Sequence, residues 1–459
     1  MAENGLNAAI AKMQRANIGS SAIESFSHYY RQLVDGQVGT IREDEISPLS
    51  EVPALRDITV DDASAKDALA KTVIIKLNGG LGTSMGLDGP KSLLEVRDGL
   101  TFLDISVRQV LAARKQYGVK LPMIFMHSFA TRRACLDALE NYPELPVDGL
   151  PIDFEQSSEP KLDALDLSPI DWPKDPALEW CPPGHGDIYP SLRDSGVLDQ
   201  LIEAGYRYAA VSNVDNLGAG PDARLAGWFA ESGAEFACEV CERTANDRKG
   251  GHLAVRKSDG HIILRESAQT AEADLKFFED ENRHKMFNSN NLWLDLIALR
   301  DRLEQSSGVL GLPLIQNKKT VDPADSASPQ VIQIETAMGA AIEIFKKSAV
   351  IQIERDRFVP VKKTNELLIL RSDCYLLDES FRLVAQGSAP VVNLDAEHYQ
   401  LIADFDQRFP AALSLAAASS LKVTGDITFG EGVKVVGDVT IEAERPMRVP
   451  DGSVLEGAE

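Results

Sequence analysis

Apolar strands alternating with amphipathic helices from about residue 71 onward predict an α/β fold, a mixed, mostly parallel sheet flanked by helices. Two more observations refine that expectation. A glycine-rich loop follows the first strand of the series, where ligands of such sheets collect. Near the C-terminus the apolar pattern takes a six-residue period, the mark of a small β-helix. A chain of 459 residues is too long for one small core. It divides into an N-terminal helical region over 1–70, the α/β unit over 71–373 and a C-terminal region over 374–459.

The N-terminal region is polar, with broken helical periodicity in Ile10, Met13, Ile18, Ile23, Phe26, Tyr30 and Leu33. Pro48 and Pro53 punctuate its link to the next unit, and it carries no chemical motif. Val73–Leu77 reads as a buried strand. Thr101-Phe-Leu-Asp104 is a capping box opening a helix that runs to about Tyr117 and stops before Gly118. Leu121–Met126 is the next strand, and a helical section near Ser191–Ala204 precedes a strand over Tyr206–Val211. Phe236–Val240, His252–Val255 and Ile262–Leu264 read as shorter strands of a β-meander. The glycine loop and Asn213-Val214-Asp215 both fall at carboxyl ends of strands.

After the alanine-rich stretch Ala411–Ala418, Val423, Phe429, Val435 and Ile441 recur every six residues. Ile427, Val433 and Val439 follow the same period, and Gly425-Asp426 and Gly437-Asp438 repeat at twice that spacing. Such a hexad suits a β-helix, each coil burying one set of residues against its neighbours. A plain hairpin or meander is the alternative that the period alone leaves open.

The formal charge is −23, from 47 basic and 70 acidic side chains, so the surface should repel nucleic acid and anionic membranes. An anionic small molecule stays compatible with it, provided lysines gather at a pocket. The N-terminus does not read as a signal peptide, and there is no apolar run of about 18 residues. Cys135, Cys181, Cys238, Cys241 and Cys374 are odd in number and scattered, which argues against a disulfide framework. Cys238 and Cys241 form a lone CxxC on a strand, where residues three apart face opposite sides, so buried thiols are expected there rather than zinc. A cytoplasmic location follows.

The most informative stretch is Lys76 to Ser92, KLNGGLGTSMGLDGPKS. Its five glycines permit positive φ and close approach of backbone to ligand. Successive N–H groups can then form an anion site, and a lysine can neutralise a phosphate, which points to a nucleotide. Two familiar phosphate loops do not fit. A Walker A loop needs Gly directly before its Lys, but Pro90 precedes Lys91 and Met85 stands where the first glycine would fall. The G-x-G-x-x-G fingerprint, started at Gly80 and Gly82, would also need glycine at Met85.

The segment resembles the signature of the eukaryotic-type UTP–glucose-1-phosphate uridylyltransferases, also called UDP-glucose pyrophosphorylases. The likeness recurs in FMHSFAT (125–131), PPGHGD (182–187), SNVDNLGA (212–219), FNSNNLW (287–293), ETAMGAAI (335–342) and PVKKTNELL (360–368), in the family's order. The resemblance implies a Rossmann-like, GT-A-like nucleotidyltransferase fold with a short left-handed β-helix at its end. It also implies that UTP and glucose 1-phosphate give UDP-glucose and pyrophosphate, with Mg2+. The sugar phosphate oxygen, already ionised, attacks the α-phosphorus, so no general base is needed. The protein's task is to align two polyanions and neutralise their charge.

By the same resemblance, Leu77, Asn78, Gly79 and Gly80 would wrap the uridine and its phosphates. Lys91 would reach the triphosphate and favour departure of pyrophosphate, with Lys362 as the second catalytic lysine and Lys363 auxiliary. Asp215 would hold the magnesium, and Asn213 would contact sugar or nucleotide. Gly184 would meet the nucleotide and His185 the sugar phosphate. Gln156 matches the family's base-reading glutamine, able to offer donor and acceptor to uracil. Its usual sequel is Arg-Tyr-Pro, whereas here Ser158-Glu159-Pro160 follow Ser157. Among Asn288, Asn290 and Asn291, Asn290 is assigned to sugar hydroxyls, helix capping being the bland alternative. The same chemistry on galactose or N-acetylhexosamine 1-phosphate, and a non-catalytic nucleotide-sugar sensor, are the competing readings. A homo-oligomer stays open.

Overall fold

The computed structural model describes residues 2–37, 39–244 and 247–457. A mixed ten-stranded sheet forms the centre of the chain. Its strands are β1 (Ile46–Pro48), β2 (Thr72–Asn78), β3 (Met123–His127), β4 (Asp153–Glu155), β5 (Tyr208–Asn213), β6 (Phe236–Glu242), β7 (His252–Arg256), β8 (Ile262–Arg265), β9 (Met286–Asp295) and β10 (Ser348–Gln352). β5, β2, β3 and β4 lie side by side in that order, all parallel. Beyond β5 the direction changes: β9 pairs antiparallel with β5, β7 with β9, and β1 with β7. β6 pairs antiparallel with β9 and parallel with β10.

This order makes a switch point. The chain leaves β2 for β3 on one side and returns later to β5 on the other, opening a crevice at their carboxyl ends. All seven residues of β2 are buried, as both-face covering demands of a central parallel strand.

The helices follow local signals. Helix α3 spans Phe102–Tyr117; Thr101 and Asp104 form the expected capping box, and Gly118 ends the helix at φ 65. The helical section expected near Ser191–Ala204 is two helices, α4 (Ile188–Asp194) and α5 (Val197–Glu203), because the chain turns at Gly196 with φ 73. The expected β-meander is only a β7–β8 hairpin, since β6 pairs with β9 and β10 instead. Helices α1 (Ala2–Arg15) and α2 (Ser20–Val34) bury Leu6, Met13, Phe26 and Tyr30 in the core that holds Ile75 and Leu77 of β2. No described helix is long and apolar enough to cross a membrane.

At the C-terminal end, β11 (Val391–Leu394), β12 (Ser414–Thr424), β14 (Lys434–Glu442) and β16 (Val454–Glu456) form one parallel sheet, and β13 (Ile427–Phe429) and β15 (Met447–Val449) a second. Val423 pairs with Ile441 and Leu421 with Val439, three six-residue periods apart. Parallel pairing excludes the hairpin and the antiparallel meander. Val423, Phe429, Val433 and Val435 share a core with Met85 and Phe102 of the α/β unit.

Candidate active site

The floor of the crevice is the end of β2. Thr131 Oγ1 donates to Asn78 O (2.7 Å) and Ser128 Oγ to Gly79 O (2.9 Å), so the segment after β3 fixes the start of the glycine loop. The loop folds back on itself: Lys91 N donates to Gly80 O (3.2 Å), and Leu81 bridges Pro90. The fold-back brings Lys91 beside the loop's start. Nothing lies within 4 Å of a Cβ built on Gly80, so ligand can approach the backbone there.

Asp215 follows β5, and Val214 N donates to Leu77 O (3.0 Å), which seats the turn against β2. Lys91 Nζ meets Asp215 Oδ2 at 2.5 Å and also donates to Val361 O. The two charged groups thus neutralise each other across the crevice.

Gln156 and His185 close the other wall. Gln156 Nε2 donates to Gly184 O (2.8 Å), which leaves Oε1 toward Gly79, where a Cβ would sit 3.0 Å away. Gly184 has φ 78, and a Cβ on it would stand 2.6 Å from Thr336 O, so glycine is required twice over. His185 Nδ1 accepts from Met338 N (2.9 Å). Burial pushes its pKa down to about 4, so the ring is neutral and its proton sits on Nε2. Leu77, Asn78, Gly79, Gly80, Lys91, Gln156, His185, Asn213 and Asp215 thus line one cleft, and Gly184 adjoins it through Gln156.

Besides Gly184, two expected residues are not in that lining. Lys362 is exposed, although its neighbour Val361 touches Lys91. Asn290 sits at a bulge where β9 slips against β6; its φ is 57 and its Oδ1 accepts from Asn288 Nδ2 (2.9 Å). The asparagines do not cap the next helix; Asp295 does, accepting from Ile297 N and Ala298 N. Beside Lys362, burial raises the carboxyl of Glu266 to about 7, against the pull of the lysine.

Beneath the cleft runs a polar network that the sequence reading missed. Lys76, wholly buried in β2, donates to Ser212 Oγ (2.8 Å) and Ala219 O (2.9 Å), one at each end of the turn that carries Asp215. Burial, helped by Arg357, lowers its pKa to about 7. Arg357 forms a bidentate pair with Glu239 (3.0 and 3.1 Å), and Glu239 also receives Asn291 Nδ2 and Trp293 Nε1. Asn216 donates to Asn291 Oδ1 (3.0 Å). A lysine in TVIIKLN and a glutamate in FACEVC were the available signals, since charges inside buried strands need partners.

The family model for UTP--glucose-1-phosphate uridylyltransferase matches residues 23–436. The Solanum tuberosum UTP--glucose-1-phosphate uridylyltransferase is 38% identical over 90% of this chain and 84% of its own length. The Hordeum vulgare enzyme of the same name is 37% identical over 99% and 95%. A crystal structure of a variant of Leishmania major UDP-glucose pyrophosphorylase in complex with UDP-glucose superposes with TM-score 0.93 at 40% identity, covering 99% of this chain and 98% of that one.

Proposed function

Because the chain belongs to the UTP--glucose-1-phosphate uridylyltransferase family, we propose that it transfers the uridylyl group of UTP to glucose 1-phosphate and releases pyrophosphate. The observation that carries this reading is the pairing of Lys91 with Asp215 across the switch point, beside an open glycine loop. A cation and a metal-binding carboxylate stand where two polyanions would meet.

Asp215 is the only carboxylate among the described residues lining the cleft, and no described cluster of three or more His, Cys, Asp or Glu could hold a metal. That donor set fits Mg2+, which takes one or two carboxylates plus substrate phosphates. When bound, the ion supplies charge neutralisation at the phosphates. The chain's residues do the rest. The loop from Leu77 to Gly80 wraps the nucleotide, and Gln156 reads its base. His185 donates through Nε2 to the sugar phosphate. Asn213 and Asn290 take sugar hydroxyls. Lys91, released from Asp215 by substrate, and Lys362 balance charge on the departing pyrophosphate.

We assign residues 374–459 to a C-terminal unit ending in a short left-handed β-helix, supported by the two parallel sheets and the three-hexad register. A cytoplasmic location is supported by five buried free cysteines. The test is pyrophosphate release from UTP and magnesium with a panel of sugar 1-phosphates. Release with glucose 1-phosphate well above galactose or N-acetylhexosamine 1-phosphate is expected. Absence of release from folded, UTP-binding protein would overturn the reading.

A further inference from the structure

We propose that Asp187 is the positioning residue for the base-reading glutamine, and that the preference for uracil over cytosine depends on it. The proposal rests on the reading of Gln156 as the base reader. Asp187 is 3% exposed and lies outside the cleft lining. Its carboxylate accepts Ser157 N (2.8 Å) and Ser157 Oγ (2.6 Å), and also Ser191 Oγ (2.7 Å) on α4. One residue upstream, Gln156 Nε2 donates to Gly184 O and Gln156 N to His127 O (2.7 Å). The segment Gln156-Ser157 is therefore stitched to the turn over 184–187 at two points, and the side chain of Gln156 leaves it in one direction.

The chemistry at Gln156 explains why direction matters. One N–H of its amide is committed to Gly184 O, which leaves Oε1 and the second N–H for a ligand. Uracil offers an N3–H donor to Oε1 and a carbonyl to that N–H. Cytosine presents a bare N3, which would face Oε1 lone pair to lone pair. A site built to pair a donor rejects the analogue that lacks it only while its own groups are held in place. Asp187 is the group that fixes Ser157, directly ahead of Ser158-Glu159, where this chain departs from its family's usual sequence. Burial raises the pKa of Asp187 to about 6, the like charges of Asp194 and Glu159 act in the same direction, and among the described residues no salt bridge offsets them. A buried carboxylate kept at this cost and satisfied by three donors is a device for fixing geometry.

The test measures kcat and KM for UTP and for CTP by pyrophosphate release. Asp187→Ala should raise KM for UTP about tenfold and lower the UTP-to-CTP ratio of kcat/KM by about tenfold, with kcat and the KM for glucose 1-phosphate within about twofold. Asp187→Asn, which keeps one acceptor oxygen, should lie between wild type and alanine, and Ser157→Ala should shift the ratio in the same direction by less. These two variants carry the test if the alanine variant melts early. Gln156→Ala is the control. If it collapses the ratio while the Asp187 and Ser157 variants leave it intact, or lower kcat alone, the inference is overturned and the base reader stands. If Gln156→Ala leaves the ratio intact, the base-reader assignment fails and the inference fails with it.

Discussion

The two sides of the cleft are built differently. On the side assigned to the nucleotide, hydrogen bonds to main-chain carbonyls hold the expected groups: Asn78 O and Gly79 O are tied to Thr131 and Ser128, Gly80 O to Lys91 N, and Gln156 to Gly184. On the opposite side, Lys362 is exposed and Asn290 is paired with Asn288 outside the cleft lining. One side is preorganised, which spares it ordering entropy when substrate binds. On the other the groups are not converged, and the roles proposed for Lys362 and Asn290 require substrate to recruit them. Lys91 stands at the boundary, held by Asp215 from the turn after β5 and by Val361 next to Lys362.

The sharpest way to break this comparison is at the boundary. Lys91→Ala and Asp215→Asn should each lower kcat by about 10³-fold, the scale of losing a preorganised charge that acts on the transition state. UTP binding, measured separately by calorimetry, should weaken far less. Asp215→Asn should also move the magnesium titration to higher concentration, and an unchanged titration would remove Asp215 from the metal site. Lys362→Ala should cost less, about 10²-fold in kcat, with the Kd for UTP unchanged. An equal loss of UTP affinity in Lys362→Ala and Lys91→Ala would mean that the two sides are equally formed.

The preorganised side was also the more legible one in the sequence. Residues at the ends of central strands are placed by the sheet itself, so a motif found there comes with its location: Leu77 and Asn78 end β2 and lead into Gly79 and Gly80, and Asn213 ends β5 and leads into Asp215. Lys362 lies far along the chain from Lys91 and is brought near by a loop, through Val361 on Lys91 and Val359 and Pro360 on Asn216, long-range contacts that no local pattern encodes. The bulge at Asn290 depends on the slip between β6 and β9, again a pairing property. The same reason hid the Lys76 and Glu239 network, whose partners come from separate segments. The break between α4 and α5 rests on a single glycine inside an apolar pattern that reads as one helix.

Gly184→Ala sharpens the comparison at intermediate cost. Its φ of 78 is strained for alanine, and the added Cβ would meet Thr336 O at 2.6 Å and Thr336 N at 2.9 Å, both main chain and unable to step aside. A loss of about 1–3 kcal/mol in stability is expected. KM for UTP should rise with little change in the KM for glucose 1-phosphate, because Gln156 loses its anchor. A rise confined to glucose 1-phosphate would put Gly184 on the wrong side of the cleft.

The smallest effects distinguish the two sides by the sign of their response to pH. Burial holds His127, at the end of β3, down to about 4; Asp153 opposes that shift and Arg132 adds to it. The unfolded chain takes up this proton near 6.5 and the folded chain does not, so the stability it contributes is complete above 6.5 and is lost as pH falls toward 4. His127→Gln should flatten that part of the stability profile, read by thermal melts across the range. Glu266, next to Lys362, has its carboxyl raised by burial to about 7, and the sign reverses. Its cost is fully present above 7 and is relieved as pH falls toward the ordinary carboxylate range. Glu266→Gln should therefore raise the melting temperature above about pH 7 and change it little at about pH 5. A glutamine variant that is no more stable at about pH 8 would mean that Glu266 is already solvated there. The groups around Lys362 would then lie open to water, and substrate would have to strip that water to bring them in.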